Sequence, residues 1–251
     1  MTNQITATYI DSMGSDLSVV NAARVSFGKK SYGESIEYDL FRDDPDAIKA
    51  SVVKYKAEGW VITSDVDDWK LTITKPTMGD AKLINYLAKH KHISPFGHAF
   101  ASFHCTGPLF VHAQLVKHKF LRTNTISRRY TTENIEFYVP DVWRGKSDDK
   151  KQGSEGIVDV GDWDDANWAA LKAYNDLLEH GVAPEMARMV LPQSLMTEWI
   201  WSGSLDALAD MCRLRCASDT QYETRLVADD ISKKMAELFP VSWSALMVCR
   251  S

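Results

Sequence analysis

The sequence predicts a folded chain of mixed α and β structure, on the strength of three features. Alternating runs at residues 4–10, 98–105 and 135–139 read as strands, and stripes of helical period at 77–87 and 168–178 read as helices. From Trp168 onward the chain reads as helical throughout. Its 251 residues are 45% apolar and 25% charged, enough to bury a core and unlike a disordered, collagenous or coiled-coil chain.

Taken in order, residues 4–10 form an opening strand, and Ser15 or Asp16 caps a helix through Leu17, Val20 and Ala23 that ends near Gly28. Composition then shifts across 29–79. Acids cluster at Glu34, Glu37, Asp39, Asp43, Asp44 and Asp46, followed by a helix-like stretch. Two alternating runs follow, Trp60 with Ile62 and Trp69 with Leu71 and Ile73, and the Asp-rich turn between them makes a hairpin. Residues 29–79 therefore read as an inserted helix-hairpin segment within one domain spanning 1–251.

Thr77 and Asp80 have capping-box spacing ahead of a helix through Leu83, Ile84 and Leu87. His98 to Cys105 alternates as a strand, Pro108 suits a helix's first turn, and Phe110 to Lys119 continues helically. Ile135 to Val139 reads as a strand and Gly145 to Gly161 as a polar, mobile loop of low core content. Trp168, Leu171, Tyr174 and Leu178 make a stripe closed by Gly181, and Pro184 opens the next helix. Helices at Leu205 to Arg215 and Tyr222 to Leu238 complete the fold.

The opening MTNQITATYI lacks the basic and apolar segments of a leader, and no apolar run approaches the ~18 to 20 residues of a membrane span, so a cytoplasmic location is expected. Cys105, Cys212, Cys216 and Cys249 are then expected as reduced thiols. A net charge of −5 would repel a nucleic-acid backbone, so any polyanion site must be local. One stretch answers that description. Residues 117–130, KHKFLRTNTISRRY, carry five cations and no acid. Their interleaving with Thr123, Asn124, Thr125, Ser127 and Tyr130 suits a phosphate joined to a heterocycle, the bland alternative being an ordinary basic surface. Arg215, in the apolar and thiol-bearing MCRLRCAS, reads as a partly buried, directed guanidinium.

Six of the seven histidines fall between His90 and His118, at spacings of 2, 6, 6, 8 and 6. None is the i, i+4 helical pair a metal would use, so no metal site is expected. Cys212 and Cys216 do share a helix face, but with no second pair they read as small core residues. Cys105 has a histidine neighbour, yet a strand setting gives no reason for a lowered pKa.

Residues 114–130 and 188–223 resemble the flavin-dependent thymidylate synthases, whose signature is RHRxxSxNxxSxRY. This chain keeps His118, Asn124, Ser127, Arg129 and Tyr130, with Lys117 and Lys119 for the arginines and Arg122 for the first serine. Flanking segments fall in family order: GSDLSVVNAARVSF, HKHISPFGH, PLFVHAQLVKHK, PEMARMVLPQSLMTEWIW and LRCASDTQYETR. The resemblance covers roughly 5–28 and 80–240, leaving 29–79 and 145–160 outside it.

The resemblance implies an α+β subunit, helices packed on a mostly antiparallel sheet, in a homotetramer whose shared sites hold FAD and dUMP. It implies that methylenetetrahydrofolate donates a methylene to C5 of dUMP, that NADPH supplies reducing equivalents, and that no cysteine attacks the pyrimidine. By the same matching, Ser26, His92, Ser94, Lys117, His118 and Lys119 would face the flavin, with Thr125, Ser204 and Asp210 standing at further flavin-contacting positions. Gln114, Lys117, Ser127, Arg128, Arg129, Arg188 and Arg215 would hold the nucleotide, and Arg215 would favour ionisation of the base.

Five departures bear on this. Lysine at 117 and 119 lacks arginine's planar fork, Thr125 replaces a usual glutamate, and Ser204 and Asp210 replace usual asparagines. Two alternatives follow: the same fold acting on another pyrimidine nucleotide or one-carbon product, or a non-catalytic protein that binds nucleotides or nucleic acid through the basic stretch.

Overall fold

The computed structural model describes residues 4–40, 42–65, 70–147, 153–161 and 164–248. The first half of the chain runs β1 (Thr6–Met13), α1 (Asp16–Arg24), β2 (Glu34–Asp39), α2 (Pro45–Ala57), β3 (Val61–Asp65), β4 (Lys70–Lys75), α3 (Met78–Lys89), β5 (Phe100–Pro108), α4 (Leu109–Leu115) and β6 (Leu121–Thr125). Then come β7 (Trp143–Lys146), β8 (Ser154–Val158), α5 (Asp164–Glu179), α6 (Pro184–Ala187), β9 (Met196–Ser204), α7 (Leu205–Arg215), α8 (Tyr222–Leu238) and α9 (Pro240–Val248). The class is α+β. Contacts divide the chain into two compact units, one of Met1–Ile10, Ser102–Ser202 and Met211–Ile231, the other of Asp11–Ala101, Gly203–Asp210 and Ser232–Ser251.

The first unit is organised on a sheet of order β1-β5-β9-β6. Alternation decides its faces: Phe103 and Cys105 on β5 and Trp199 and Trp201 on β9 are buried. On the opposite face Ser102 meets Ser202 at 2.8 Å and His104 meets Glu198 at 2.8 Å. Each fully buried aromatic contributes ~1.5–3 kcal/mol, so truncating Trp199 would remove a principal anchor. A second, two-stranded sheet pairs β7 with β8 antiparallel, and a bulge falls between Arg144 and Gly145. A Cβ at Gly145 would lie 2.8 Å from the Glu155 carbonyl oxygen, so only glycine allows this close approach.

In the second unit Val19, Val20, Ile84, Phe96 and Phe239 are buried. Ser15 N–H donates to Ser18 at 3.0 Å to open α1. At α3 the Asp80 N–H donates to Thr77 Oγ1 at 3.2 Å and the Thr77 N–H to Asp80 at 3.1 Å, the reciprocal cap that the spacing predicts. Buried Asp80 also takes Arg24 at 2.8 Å and the Ser31 hydroxyl at 2.7 Å. Here the order β2-β4-β3 makes an antiparallel three-stranded sheet.

Several sequence expectations are corrected. The helix expected over Phe110 to Lys119 ends at Leu115, and Phe120, at φ 65°, turns the chain into strand β6, so most of the basic stretch is turn and strand. Ile135 to Val139 is no strand; a single bridge joins Phe137 to Leu195. Gly145 to Gly161 holds β8 and the end of β7, where a loop is expected. The acidic segment at 34–39 is strand β2, whose Glu34 and Glu37 pair with Lys75 and Lys70 of β4. The Asp-rich turn of the expected hairpin and Trp69 lie outside the described residues. Finally, the stretch read as helical after Pro184 contains β9, and α9 follows α8.

Candidate active site

A pocket of about 750 Å³ opens in the first unit. Helix α4 and the turn after it bring Phe110, Ala113, Gln114 and Lys117; α7 ends with Arg215; α8 begins near Gln221 and Glu223; and the β7–β8 hairpin adds Trp143, Arg144, Gly153 and Ser154. Three sequence-predicted residues, Gln114, Lys117 and Arg215, thus meet at one cavity from segments about a hundred positions apart. Arg215 donates Nε to His118 Nε2 at 2.9 Å, which orients the guanidinium from the side of the basic turn.

The floor is a polar network. Half-buried Gln114 donates its amide to Gln221 Oε1, and the buried Thr224 hydroxyl donates to Gln114 Oε1 at 3.0 Å. Buried Glu223 is ion-paired with Arg144 and accepts the Tyr138 hydroxyl at 3.3 Å. Burial first, then the Glu223 carboxylate, pushes the Tyr138 phenol well above its ordinary value, so it stays a proton donor. Arg144 lies 4.6 Å over the Tyr222 ring and donates Nε to Ser154 at 3.0 Å.

Beyond the pocket, the turn Ser127–Arg129 is closed by Ser127, whose carbonyl accepts Tyr130 N–H and Thr131 N–H at 3.1 Å each. The structure commits Arg128 to its own loop, with Nη1 donating to the Glu133 carbonyl at 2.8 Å, and burial lowers its pKa from the usual arginine value. Exposed Arg129 pairs with Glu185 at 3.1 Å, and exposed Arg188 donates to the Glu185 carbonyl at 3.3 Å, so one residue gathers both guanidiniums. Lys119 and Arg122 are exposed. Thr125 shares His112 Nε2 with Thr123, at 3.2 and 3.3 Å.

The remaining predicted cofactor contacts, Ser26, His92, Ser94, Ser204 and Asp210, belong to the second unit. Ser26, His92, Ser94 and Asp210 are exposed and Ser204 is buried at the end of β9. His92 stacks on Tyr86 with ring centroids 6.1 Å apart and planes 13° apart. Among the described residues no three His, Cys, Asp or Glu side chains gather as a metal site. Nor is a described helix long and apolar enough to cross a membrane. Burial pushes the Cys105 thiol up to about 12 and raises Cys212 as well, so neither offers a ready thiolate.

Sequence reasoning does not single out Tyr138, Arg144, Gln221 or Glu223 as site residues. The alternation at 135–139 marks Tyr138, whereas Arg144 and Glu223 stand 79 positions apart, with no spacing to link them.

Fold and site define a class: an α+β protein whose pocket gathers Lys117, Arg144 and Arg215 beside Phe110 and Trp143. The chain belongs to the thymidylate synthase complementing protein family, whose model matches residues 8–241. It is 35% identical over 244 residues to a flavin-dependent thymidylate synthase of Thermus thermophilus, covering 94% of this chain and 73% of that one. A second, from Kosmotoga olearia, is 32% identical over 249 residues, covering 95% and 88%. Among solved structures, the UMP/dUMP methylase PolB from Streptomyces cacaoi bound with 5-Br dUMP is similar at a TM-score of 0.66 and 28% identity, with 96% and 94% covered. The same methylase bound with 5-Br UMP gives a TM-score of 0.69 at 26% identity, with 98% and 95% covered.

Proposed function

We propose that this chain is a flavin-dependent thymidylate synthase that converts dUMP to dTMP. Methylenetetrahydrofolate would supply the carbon, NADPH the hydride and solvent one proton, leaving tetrahydrofolate and NADP⁺. The observation that carries the reading is the convergence of Gln114, Lys117 and Arg215 on one pocket, in a chain whose family membership favours this enzyme over the two alternatives.

Arg215, oriented by His118, would stabilise negative charge that develops on the uracil as C5 becomes nucleophilic. Arg129 and Arg188, with the Ser127–Arg129 turn, would hold the phosphate, which would displace the Glu185 contacts and take a charge-assisted pair instead. Arg128 would act by holding that turn in shape. Cys105 and Cys212, buried and with raised pKa values, are not suited to thiolate attack on the pyrimidine.

The residues fit FAD by their donor chemistry. Lys117 and Lys119 are exposed cations in a stretch without acids, matched to a pyrophosphate, and the exposed His92 ring offers a planar contact. Ser26, His92, Ser94, Lys117, His118, Lys119, Thr125, Ser204 and Asp210 would hold it. A bound flavin supplies two-electron reduction. The active form would be a cytoplasmic homotetramer, each chain a single catalytic domain with 29–79 as an insertion.

The test is direct. Purified protein reconstituted with FAD should show a bound-flavin spectrum and form dTMP from dUMP, methylenetetrahydrofolate and NADPH. Absence of both would reject the reading. Light scattering should give about four times 28.3 kDa, and a monomer at working concentration would reject the tetramer.

A further inference from the structure

Two pocket residues stand at the two ends of one loop: Arg215 closes α7, Gln221 immediately precedes α8, and residues 216–221 join the helices. The loop is tied internally. The Thr220 hydroxyl donates to the Leu214 carbonyl at 2.7 Å, its N–H to the Ala217 carbonyl at 3.0 Å, and Arg225 of α8 donates to the Ser218 carbonyl at 3.3 Å. A shift of the loop therefore carries Arg215 and Gln221 with it.

The β7–β8 pair grips this loop and the first turn of α8 at three points. Gly153, at φ 87°, comes so near the Asp219 carbonyl oxygen that a Cβ would lie 2.8 Å from it. Arg144 lies 4.6 Å over the ring of Tyr222, the first residue of α8, and it is ion-paired with buried Glu223 beside it. The bulge between Arg144 and Gly145 breaks the strand register and aims this side chain at α8, and Ser154 on β8 accepts its Nε at 3.0 Å. A two-stranded sheet has little stability alone, so these contacts fix strand pair and loop together. We propose that Arg144 is a positioning residue for the reaction: from β7 it holds the connection between α7 and α8, and so sets the pose in which Arg215 meets the base. The proposal rests on the nucleotide reading above. His118 reaches the Arg215 guanidinium directly, whereas Arg144 acts on the backbone that carries it.

Steady-state kinetics of the flavin-loaded full chain, at a temperature where circular dichroism shows each variant folded, test this. Arg144→Ala should lower kcat at saturating dUMP about 10- to 100-fold, the usual cost of a group misplaced by about 1 Å. In an Arg215→Ala background the same change should cost less than about threefold, because an absent arginine cannot be misplaced. A side chain that only stabilised the fold would cost the same factor in both. Arg144→Lys, which keeps the charge beside Glu223 without the planar fork, should recover part of the loss. Gly153→Ala, whose added methyl meets the Asp219 carbonyl, should repeat the loss with the Arg144–Glu223 pair intact, which decides the matter should Arg144→Ala fail to fold. Unchanged kcat in these variants, or the same factor lost with and without Arg215, overturns the proposal while leaving dUMP as substrate. An unaltered protein that forms no dTMP overturns both readings together.

Discussion

Arg144 on β7 and Glu223 on α8 form an ion pair at the wall of the pocket, with side-chain exposures of 23% and 5%. The carboxylate is cut off from water, so its charge depends on Arg144 and on the Tyr138 hydroxyl. Removing one partner of a buried pair costs ~3–5 kcal/mol, and the residual exposure of Arg144 puts Arg144→Ala at the low end. Urea denaturation at neutral pH should show that loss, and the double change with Glu223→Gln should recover part of it. Equal stabilities for Arg144→Ala and the unaltered protein would mean that the pair holds nothing in place.

Arg215 presents a different case, because its role is charge stabilisation during the reaction. Arg215→Ala should lower kcat at saturating dUMP by an amount equivalent to ~3–4 kcal/mol while leaving the folded circular dichroism spectrum intact. Turnover near the unaltered value would remove Arg215 from the chemistry. Its partner His118 should matter less, since it orients the guanidinium at 2.9 Å without replacing it.

His112 packs edge-on against Trp199, ring centroids 4.9 Å apart, and burial holds its pKa below the ordinary 6.5. The unfolded chain therefore takes up a proton at higher pH than the folded one. Stability should be full above about pH 6.5 and fall as pH drops through the unfolded value toward the lower folded one. His112→Gln should flatten that part of the pH-stability curve. An imidazole NMR titration midpoint at or above 6.5 would contradict the lowered pKa of this half-buried ring.

Local signals were legible wherever the chain writes them locally. Thr77 and Asp80 lie three residues apart and form the cap that spacing implies, and α7 and α8 fall on the apolar stripes that mark them. Strand β9 was not legible because Met196 to Ser204 is apolar enough to pass for buried helix; only the alternation of Trp199 and Trp201 with Glu198, Ile200 and Ser202 betrays a sheet. β2 hid its Ile36 and Tyr38 among acids whose lysine partners lie on β4. Within the site, Gln114, Lys117 and Arg215 could be matched by motif. The Arg144–Glu223 pair could not, since tertiary folding alone brings the two together.

The segment 29–79 gives the last expectation. Among the described residues, β2, β4 and β3 form a three-stranded sheet of their own, and Lys75 lies 4.7 Å over the Trp60 ring. Gly59 lies close to Pro240 of α9, and hydrogen bonds tie the two flanks of the segment to neighbouring helices. Ser31 N–H donates to Asn21 at 2.7 Å and its hydroxyl to Asp80 at 2.7 Å, while Thr77 caps α3 on the far side. The two ends are already adjacent, since Glu34 pairs with Lys75 in the register of β2 and β4. Replacing 33–76 with a short Gly/Ser linker therefore keeps Ser31 and Thr77 and spans little distance, so loop closure adds only a small entropic cost. The shortened protein should stay soluble, bind FAD and dUMP with affinities within about threefold of the full chain, and melt a few degrees lower from the lost apolar burial. Loss of soluble protein or of the oligomer would instead make the segment part of the core or of an interface between copies.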